Sequence, residues 1–357
     1  MNAVRHALGG PRRVLDFCVP VNPYFPTPGM LERITARLPD LLKHYPDYAA
    51  THEAHIAAVA DLPPACVVVA NGSTEIINAL CQAAGGPMVT TVPTFGRWTD
   101  LPPVLGTLLH FVPHRREKGW RIDADELAEE AVRRRARTLV LCNPNNPTGA
   151  WFEHRDIEIL TEKLAHLDAV VVDESFIDFS GLRSAANLAT RSANLVIVKS
   201  LGKSLGWHGI RLGYAVANPA RAAALRDRLP WWNINGIAAY VLEELARNPE
   251  ARLAFDASFA LVDRDRTYME QALQRVPGLV VHPSRANFLY VELRPVRDGK
   301  ALRADLLEKH GIYVRKCGNK IGSSSTFLRL AVLPRPSIDA LVQALYDVLG
   351  AALAEAR

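Results

Sequence analysis

The stretch Val198-Lys-Ser-Leu-Gly-Lys-Ser-Leu-Gly-Trp-His-Gly-Ile-Arg-Leu-Gly-Tyr214 decides the fold class of this chain. It continues the hydrophobic run 194–198, which predicts a buried strand, and it carries Ser200, Lys203 and Arg211 in and around a loop of small residues. A lysine at the end of a buried strand can bond covalently to a phosphorylated aldehyde, with Ser200 and Arg211 holding the phosphate. The alternative is that Lys203 is a surface lysine and Arg211 the partner in a structural ion pair.

Two other strand ends carry polar residues suited to the same site. The run 169–173 predicts a strand that ends in Asp173, whose carboxylate can keep a pyridine nitrogen protonated and so make the ring an electron sink. The run 138–142 leads into Asn143-Pro-Asn-Asn-Pro-Thr-Gly149, where Asn146 is the candidate donor to a phenolic oxygen of that ring. The structural alternatives are a capping aspartate and a plain turn.

A second contact to the phosphate is predicted where the run 66–70 meets Asn71-Gly-Ser-Thr-Glu75. Small residues at a turn from strand to helix expose backbone N–H groups at the helix N-terminus, which attracts anions. We therefore expect Ser73 and Thr74 to clamp the phosphate. The alternative is an ordinary Ser/Thr N-cap.

An aromatic residue and an arginine complete the predicted site. Pro93-Thr-Phe-Gly-Arg-Trp98 supplies an aromatic side chain for the ring face, and Phe95 is preferred with Trp98 as the alternative. Phe327-Leu-Arg-Leu-Ala-Val332 predicts a strand in which Arg329 points away from its apolar neighbours. A guanidinium fork can bind an α-carboxylate through two hydrogen bonds, although an arginine in an edge strand is commonly only solvated.

Together these motifs resemble those of the class I/II aminotransferases, which are pyridoxal-phosphate (PLP) enzymes with the aspartate-aminotransferase type of fold. The resemblance covers residues 14–350, and the nearest branch looks like histidinol-phosphate aminotransferase and threonine-phosphate decarboxylase. It implies PLP as cofactor, held by Lys203, and an amino acid as substrate. It also implies a homodimer with composite sites, because Leu42-Lys-His-Tyr-Pro-Asp47 resembles the segment that carries a tyrosine, here Tyr45, to the neighbouring subunit's cofactor phosphate.

The resemblance also assigns two substrate-binding residues, Asn22 and Arg315. A cation at Arg315 favours a second anion at the far end of a phosphorylated or acidic substrate. Strand alternation lets only one of Arg315 and Lys316 point inward, and the decarboxylase branch favours Arg315. The stretches that lean toward the decarboxylase are 15–17 before Asn22, 71–75, 173–179, 230–235 and 314–319.

The reaction stays open between transamination and decarboxylation. Phe176 stands where most aminotransferases of the group carry a tyrosine, as it tends to do in the decarboxylase branch. The segment 20–26 differs from the decarboxylase's usual N-terminal stretch, and Gly202 stands where a Ser or Thr is usual. We therefore favour transamination, with decarboxylation as the alternative and ring formation or oxidation as a smaller third. A non-catalytic PLP-binding module is the alternative from another class.

Composition is that of a globular enzyme, with 357 residues of which 49% are hydrophobic and 22% charged. The net charge of +5 is spread out, and the run Arg133-Arg-Arg-Ala-Arg137 is typical of a solvated face, so we expect no nucleic-acid partner. The five cysteines have no paired spacing, which indicates a reducing compartment and favours the cytoplasm. We expect no signal peptide, membrane span or metal site.

Apolar strands that alternate with helical patterns predict an α/β fold. We expect a fold-type-I PLP enzyme whose large domain has a mostly parallel seven-stranded sheet between helices, joined to a smaller α+β domain. The predicted strands of the large sheet are 67–70, 88–92, 108–112, 138–142, 169–173, 195–199 and 212–217. The expected domains are an N-terminal arm at 1–44 that joins the small domain, a PLP-binding domain at 45–250 and a small domain at 251–357.

Overall fold

Two sheets organise the computed structural model, which describes residues 14–294 and 298–355. The strands of the large sheet are, in chain order, β2 (Val67–Ala70), β3 (Met88–Val92), β4 (Leu109–Pro113), β5 (Thr138–Cys142), β6 (Ala169–Asp173), β7 (Leu195–Ser200) and β8 (Gly213–Val216). The strands of the small sheet are β1 (Leu15–Phe17), β9 (Leu279–His282), β10 (Phe288–Leu293), β11 (Ile312–Lys316) and β12 (Phe327–Ala331).

The large sheet has the order β2-β8-β7-β6-β5-β3-β4. Strand β8 runs antiparallel to both of its neighbours, whereas the pairs from β7 to β4 are parallel. Both faces are buried, as a parallel sheet between helices requires. In β5, for example, Leu139 and Leu141 belong to one core cluster, and Val140 and Cys142 to the cluster on the opposite face. The predicted α/β architecture is therefore confirmed.

Helices cover both faces of the large sheet and one side of the small one. They are α1 (Pro28–Lys43), α2 (Ala49–Ala60), α3 (Ser73–Ala83), α4 (Gly96–Val104), α5 (Ala124–Arg133), α6 (His154–Lys163), α7 (Ala186–Ala189), α8 (Leu201–Ser204), α9 (Pro219–Arg226), α10 (Gly236–Arg247), α11 (Pro249–Gln274), α12 (Gly299–His310) and α13 (Arg335–Glu355). No helix among the described residues is long and apolar enough to cross a membrane.

The small sheet has the order β1-β11-β12-β10-β9 and its own apolar core. Strand β1 lies at its edge, parallel to β11, and the other pairs are antiparallel. Strands β1 and β11 are not predicted from the sequence. Strand β1 has only three residues, too few to show a period of two, and the last two residues of β11 are both charged. The domain boundaries stay a prediction.

Candidate active site

A pocket lies at the carboxyl ends of β5, β6 and β7, where ligands of such sheets bind. Strand β5 leads into Asn146, β6 ends in Asp173, and Lys203 lies in the helical turn after β7. The pocket brings these three predicted residues together with four others. Its walls are Phe95, Cys142, Asn146, Asp173, Ser175, Phe176 and Lys203.

Lys203 supplies the amine of this pocket. Its Nζ lies 4.8 Å from the centre of the Phe176 ring, and its carbonyl oxygen accepts a hydrogen bond from the backbone N–H of Asn22 at 2.9 Å. Burial lowers the pKa of Lys203 from 10.5 to about 8, with Asp173 opposing that effect and Arg329 adding to it. About a tenth of the amine is therefore neutral at pH 7, and attack on an aldehyde requires this neutral form.

Asp173 is buried and has both oxygens in use. Its Oδ2 accepts a hydrogen bond from Trp98 Nε1 at 2.9 Å, and its Oδ1 accepts one from the Ser175 amide at 3.1 Å. Trp98 is therefore directed at the carboxylate, while Phe95 lines the pocket. Of the two aromatic candidates left open by the sequence, Phe95 is the one placed to cover a bound ring.

The phosphate residues predicted from two separate motifs meet beside the pocket. Gly72 has φ of +77°, and a Cβ added there would lie 2.5 Å from Arg211 Nη2, so only glycine lets the guanidinium come this close. Helix α3 begins at Ser73 without a side-chain cap, which leaves its first amides for an anion, and Thr74 follows in the same turn.

Ser200 supplies the third part of this cradle. It is the last residue of β7 and is buried, and its neighbour across the sheet is Gly213. A Cβ on Gly213 would lie 2.6 Å from the Ser73 amide nitrogen, so the absence of a side chain keeps the helix and strand together. Amides, hydroxyls and a guanidinium around one space, with an amine and a carboxylate beyond, form a donor set that fits PLP.

Arg329 reaches the pocket from the small sheet. Its Nη1 donates to Asn146 Oδ1 at 2.6 Å and its Nη2 to the Cys18 carbonyl oxygen at 2.8 Å. The side chain is buried, its Nε has no partner in the described part of the chain, and burial lowers its pKa. A buried guanidinium with unused hydrogen-bonding capacity is suited to bind an anion.

Two further cations stand near Arg329. Arg315 on β11 pairs directly with Arg329 on β12, so both side chains leave the same face of the small sheet. Lys320 was not predicted; its Nζ lies 5.7 Å from the centre of the Phe95 ring. Burial lowers the pKa of Lys320, and Arg315 and Arg329 lower it further. No local sequence signal identifies Lys320, because only the packing of its loop brings it here.

Asn22 is placed differently from the expectation. Its Nδ2 donates to the Ser204 carbonyl oxygen at 2.9 Å and to Ser258 Oγ at 2.7 Å, while its Oδ1 accepts from the Tyr24 amide at 3.0 Å. Both amide hydrogens are thus committed within the protein, which leaves none for a substrate. The structure gives Asn22 the role of fixing the loop that carries Lys203.

Tyr45 lies outside the pocket of its own chain. It is 83% exposed, and its ring centre is 5.3 Å from that of Trp232. Tyr48 and Trp231 adjoin these rings and are exposed as well. We call these four residues the aromatic patch. So large an exposed apolar group is typical of a surface that contacts another protein.

Comparison with known proteins identifies the family to which this chain belongs. The family model for "Aminotransferase class I and II" matches residues 12–345, and the chain belongs to that family. Its members are PLP-dependent enzymes, so PLP is the cofactor.

Among curated relatives, L-serine phosphate decarboxylase of Sulfurospirillum multivorans is 30% identical over 87% of this chain and 80% of its own. Histidinol-phosphate aminotransferase of Thermoanaerobacter pseudethanolicus is 29% identical over 85% and 84%. The solved structure of a decarboxylase from Sulfurospirillum multivorans superposes with a TM-score of 0.86 at 29% identity, covering 94% of this chain and 88% of that one. The chain spans about half the length, 53%, of two further relatives, from Sinorhizobium fredii and Streptomyces rubellomurinus.

Proposed function

We propose that this protein is a PLP-dependent enzyme that decarboxylates an amino acid bearing a phosphate or a similar dianion. The observation that carries the proposal is the convergence of Arg329, Arg315 and Lys320 beside the pocket. An ordinary amino acid has one carboxylate for these cations. A phosphorylated amino acid has a carboxylate and a dianion, which together balance the three positive charges.

The electrostatics of the three cations support a doubly anionic substrate. Arg315 and Arg329 each lower the pKa of Lys320, which means that the like charges repel one another in a partly buried space. A dianion placed among them relieves this repulsion and gains charge-assisted hydrogen bonds. The serine-phosphate decarboxylase among the relatives is named for a substrate with this charge pattern.

The individual residue roles are part of the proposal. When bound, PLP supplies an electron sink next to the substrate's α-carbon. Lys203 provides the amine that holds the cofactor and moves protons, Asp173 faces the ring nitrogen, and Asn146 donates to the ring oxygen. The phosphate of the cofactor is held by Ser73, Thr74, Ser200 and Arg211, and Phe95 covers the ring.

Phe176 forms an apolar wall of the pocket beside Lys203. Its ring lies against Lys203 and has no hydroxyl to donate to the ring oxygen, so Asn146 acts there without a tyrosine. The dianion draws on Arg329 as well as on Arg315 and Lys320. If Arg329 is shared with the dianion in this way, it would hold the substrate's carboxylate less tightly, which would favour loss of CO₂ over loss of the α-proton.

Transamination, which the sequence favours, is the second candidate. The 2.6 Å hydrogen bond from Arg329 to Asn146 ties the guanidinium to the residue that would contact the cofactor's ring oxygen, so a carboxylate bound to Arg329 would be held close to the cofactor. Lys203, with its pKa lowered to about 8, can then accept the α-proton. The aminotransferase among the relatives is consistent with this reaction.

The test is incubation of the purified enzyme with O-phospho-L-serine, O-phospho-L-threonine, L-serine and L-aspartate. Decarboxylation releases CO₂ and leaves the cofactor as the aldehyde, whereas transamination gives a keto acid and converts the cofactor to its amine. We expect CO₂ from a phosphorylated substrate. Turnover of serine at the same kcat/KM would refute the second-anion proposal, and equal turnover of aspartate would refute the preference for a dianion.

Single-residue variants in β11 and in the loop after it make this test more specific. Arg315→Ala and Lys320→Ala should each lower kcat/KM for the phosphorylated substrate by roughly 30-fold or more relative to serine, the range for removing one partner of a buried charge pair. Lys316→Ala is the matched control, because residue 316 follows Arg315 and points to the opposite face. An equal loss in all three variants would contradict the assigned anion site.

We further propose that two copies form a homodimer through the aromatic patch, so that Tyr45 reaches the partner's cofactor phosphate. The exposure of Tyr45 and its three aromatic neighbours supports this assembly. A cytoplasmic location is proposed as well, because all five cysteines are free thiols. Sedimentation equilibrium of the PLP-loaded protein tests the dimer, which a monomer at working concentration would exclude.

A further inference from the structure

Trp98 is a buried tryptophan directed at the buried carboxylate of the site. It is 1% exposed, and its Nε1 lies 2.9 Å from Asp173 Oδ2, which is a good hydrogen-bond distance. The sequence motif suggests Trp98 only as an alternative to Phe95 for stacking on the cofactor. Of the two residues, Phe95 is the one that lines the pocket. Its indole N–H instead donates a hydrogen bond to Asp173.

The chemistry of the indole fixes what this hydrogen bond does. An indole N–H is a donor only and does not titrate in the working range of an enzyme, so its bond to Asp173 is kept at every pH. A donor to a buried carboxylate stabilises the ionised form over the protonated one. The Ser175 amide does the same for the other oxygen, so Asp173 receives one donor on each side.

The position of Trp98 in α4 links it to the ring that covers the cofactor. The Trp98 amide donates to the carbonyl oxygen of Phe95, the N-cap residue of α4, at 3.0 Å. The start of α4 therefore positions both the Phe95 ring and the indole that donates to Asp173. A shift here would disturb both at once.

We propose that Trp98 is a positioning residue that holds the Asp173 carboxylate aimed at the ring nitrogen of PLP. This inference rests on the proposed function, since it takes Asp173 as the partner of that nitrogen. Without the indole N–H, the carboxylate keeps only the Ser175 amide as a donor and is less fixed in orientation. A carboxylate that is no longer aimed at the ring nitrogen would pair with it less well, so a bound ring would be less protonated and a poorer electron sink.

The experiment uses PLP labelled with ¹⁵N in its ring and bound to wild type, Trp98→Phe and Trp120→Phe. Trp120 is the matched control, because it is 5% exposed, its Nε1 has no hydrogen-bond partner among the described residues, and it belongs to a separate cluster. We expect the ¹⁵N resonance of Trp98→Phe to move toward the position of an unprotonated ring. That of Trp120→Phe should match wild type.

Kinetics give a second readout. Trp98→Phe should lose about tenfold or more in kcat with little change in KM, the size expected for one hydrogen bond to a charged group. Should this variant fold poorly, benzothienylalanine at position 98 keeps the shape of tryptophan and removes only the N–H. An unchanged ¹⁵N resonance in either variant overturns the proposal, as does an equal shift in Trp120→Phe. If wild type binds no PLP, the proposed function itself fails, which is a separate outcome.

Discussion

The pH dependence of cofactor attachment is a direct consequence of the burial of Lys203. Burial lowers the pKa of this lysine from 10.5 to about 8. The shift of about 2.5 units multiplies the neutral, nucleophilic fraction at pH 7 by roughly 300. We therefore expect the rate of PLP attachment to apoenzyme to rise about tenfold per pH unit below pH 8 and to level off above it.

The sign of this effect can be tested at one residue. Asp173 raises the pKa of Lys203, so Asp173→Asn should lower the midpoint of the pH profile further. The control is Asp168→Asn, since Asp168 lies at the surface in an ion pair with Arg137. The assay follows the visible absorption band of bound PLP after rapid mixing at constant ionic strength. A rate that still climbs tenfold per unit between pH 9 and 10 would refute the reasoning, as would an upward shift in Asp173→Asn.

Three further predictions concern other parts of the molecule. Mixing equal amounts of inactive Lys203→Ala and inactive Tyr45→Ala protein should restore about a quarter of wild-type activity, because random pairing makes half of the dimers hybrid with one intact site each; absence of any recovery would contradict composite sites. Gly72→Ala should weaken PLP binding by at least about tenfold and pyridoxal binding much less, since the new Cβ would lie 2.5 Å from Arg211 Nη2. Leu139→Ala, at a position with no exposure, should lower the free energy of unfolding by about 2–5 kcal/mol in urea titrations, and a loss below 1 kcal/mol would show that the core around β5 is loosely packed.

The strand ends of the site were predictable because a parallel sheet gathers the carboxyl ends of its strands at one edge. Asn146, Asp173 and Lys203 follow three neighbouring strands, and each stands in a recognisable motif. Nothing in the sequence distinguishes Phe95 from Trp98, since residues three apart share one side of a helical turn and only its rotation decides their tasks.

The place of Lys320 beside the pocket could not be predicted from the sequence. It lies in a loop after β11, and its approach to Phe95 depends on how the small sheet sits against the large one. Asn22 illustrates a different limit, because its family motif located it at the site while its hydrogen bonds to Ser204 and Ser258 are tertiary contacts. Motifs thus predicted where residues gather, and packing determined what each side chain does there.

The N-terminal segment touches both halves of the site and so acts as a tether between them. Strand β1 is bound to the small sheet, the Cys18 carbonyl oxygen accepts from Arg329, and the Asn22 amide donates to the Lys203 carbonyl oxygen. Even fully extended, the chain from Cys18 to Asn22 spans at most about 14 Å. Arg329 and the loop that carries Lys203 are therefore connected through this short segment of chain. The length of this segment limits how far the small sheet can move away from the large one. A larger movement would also displace the loop that carries Lys203.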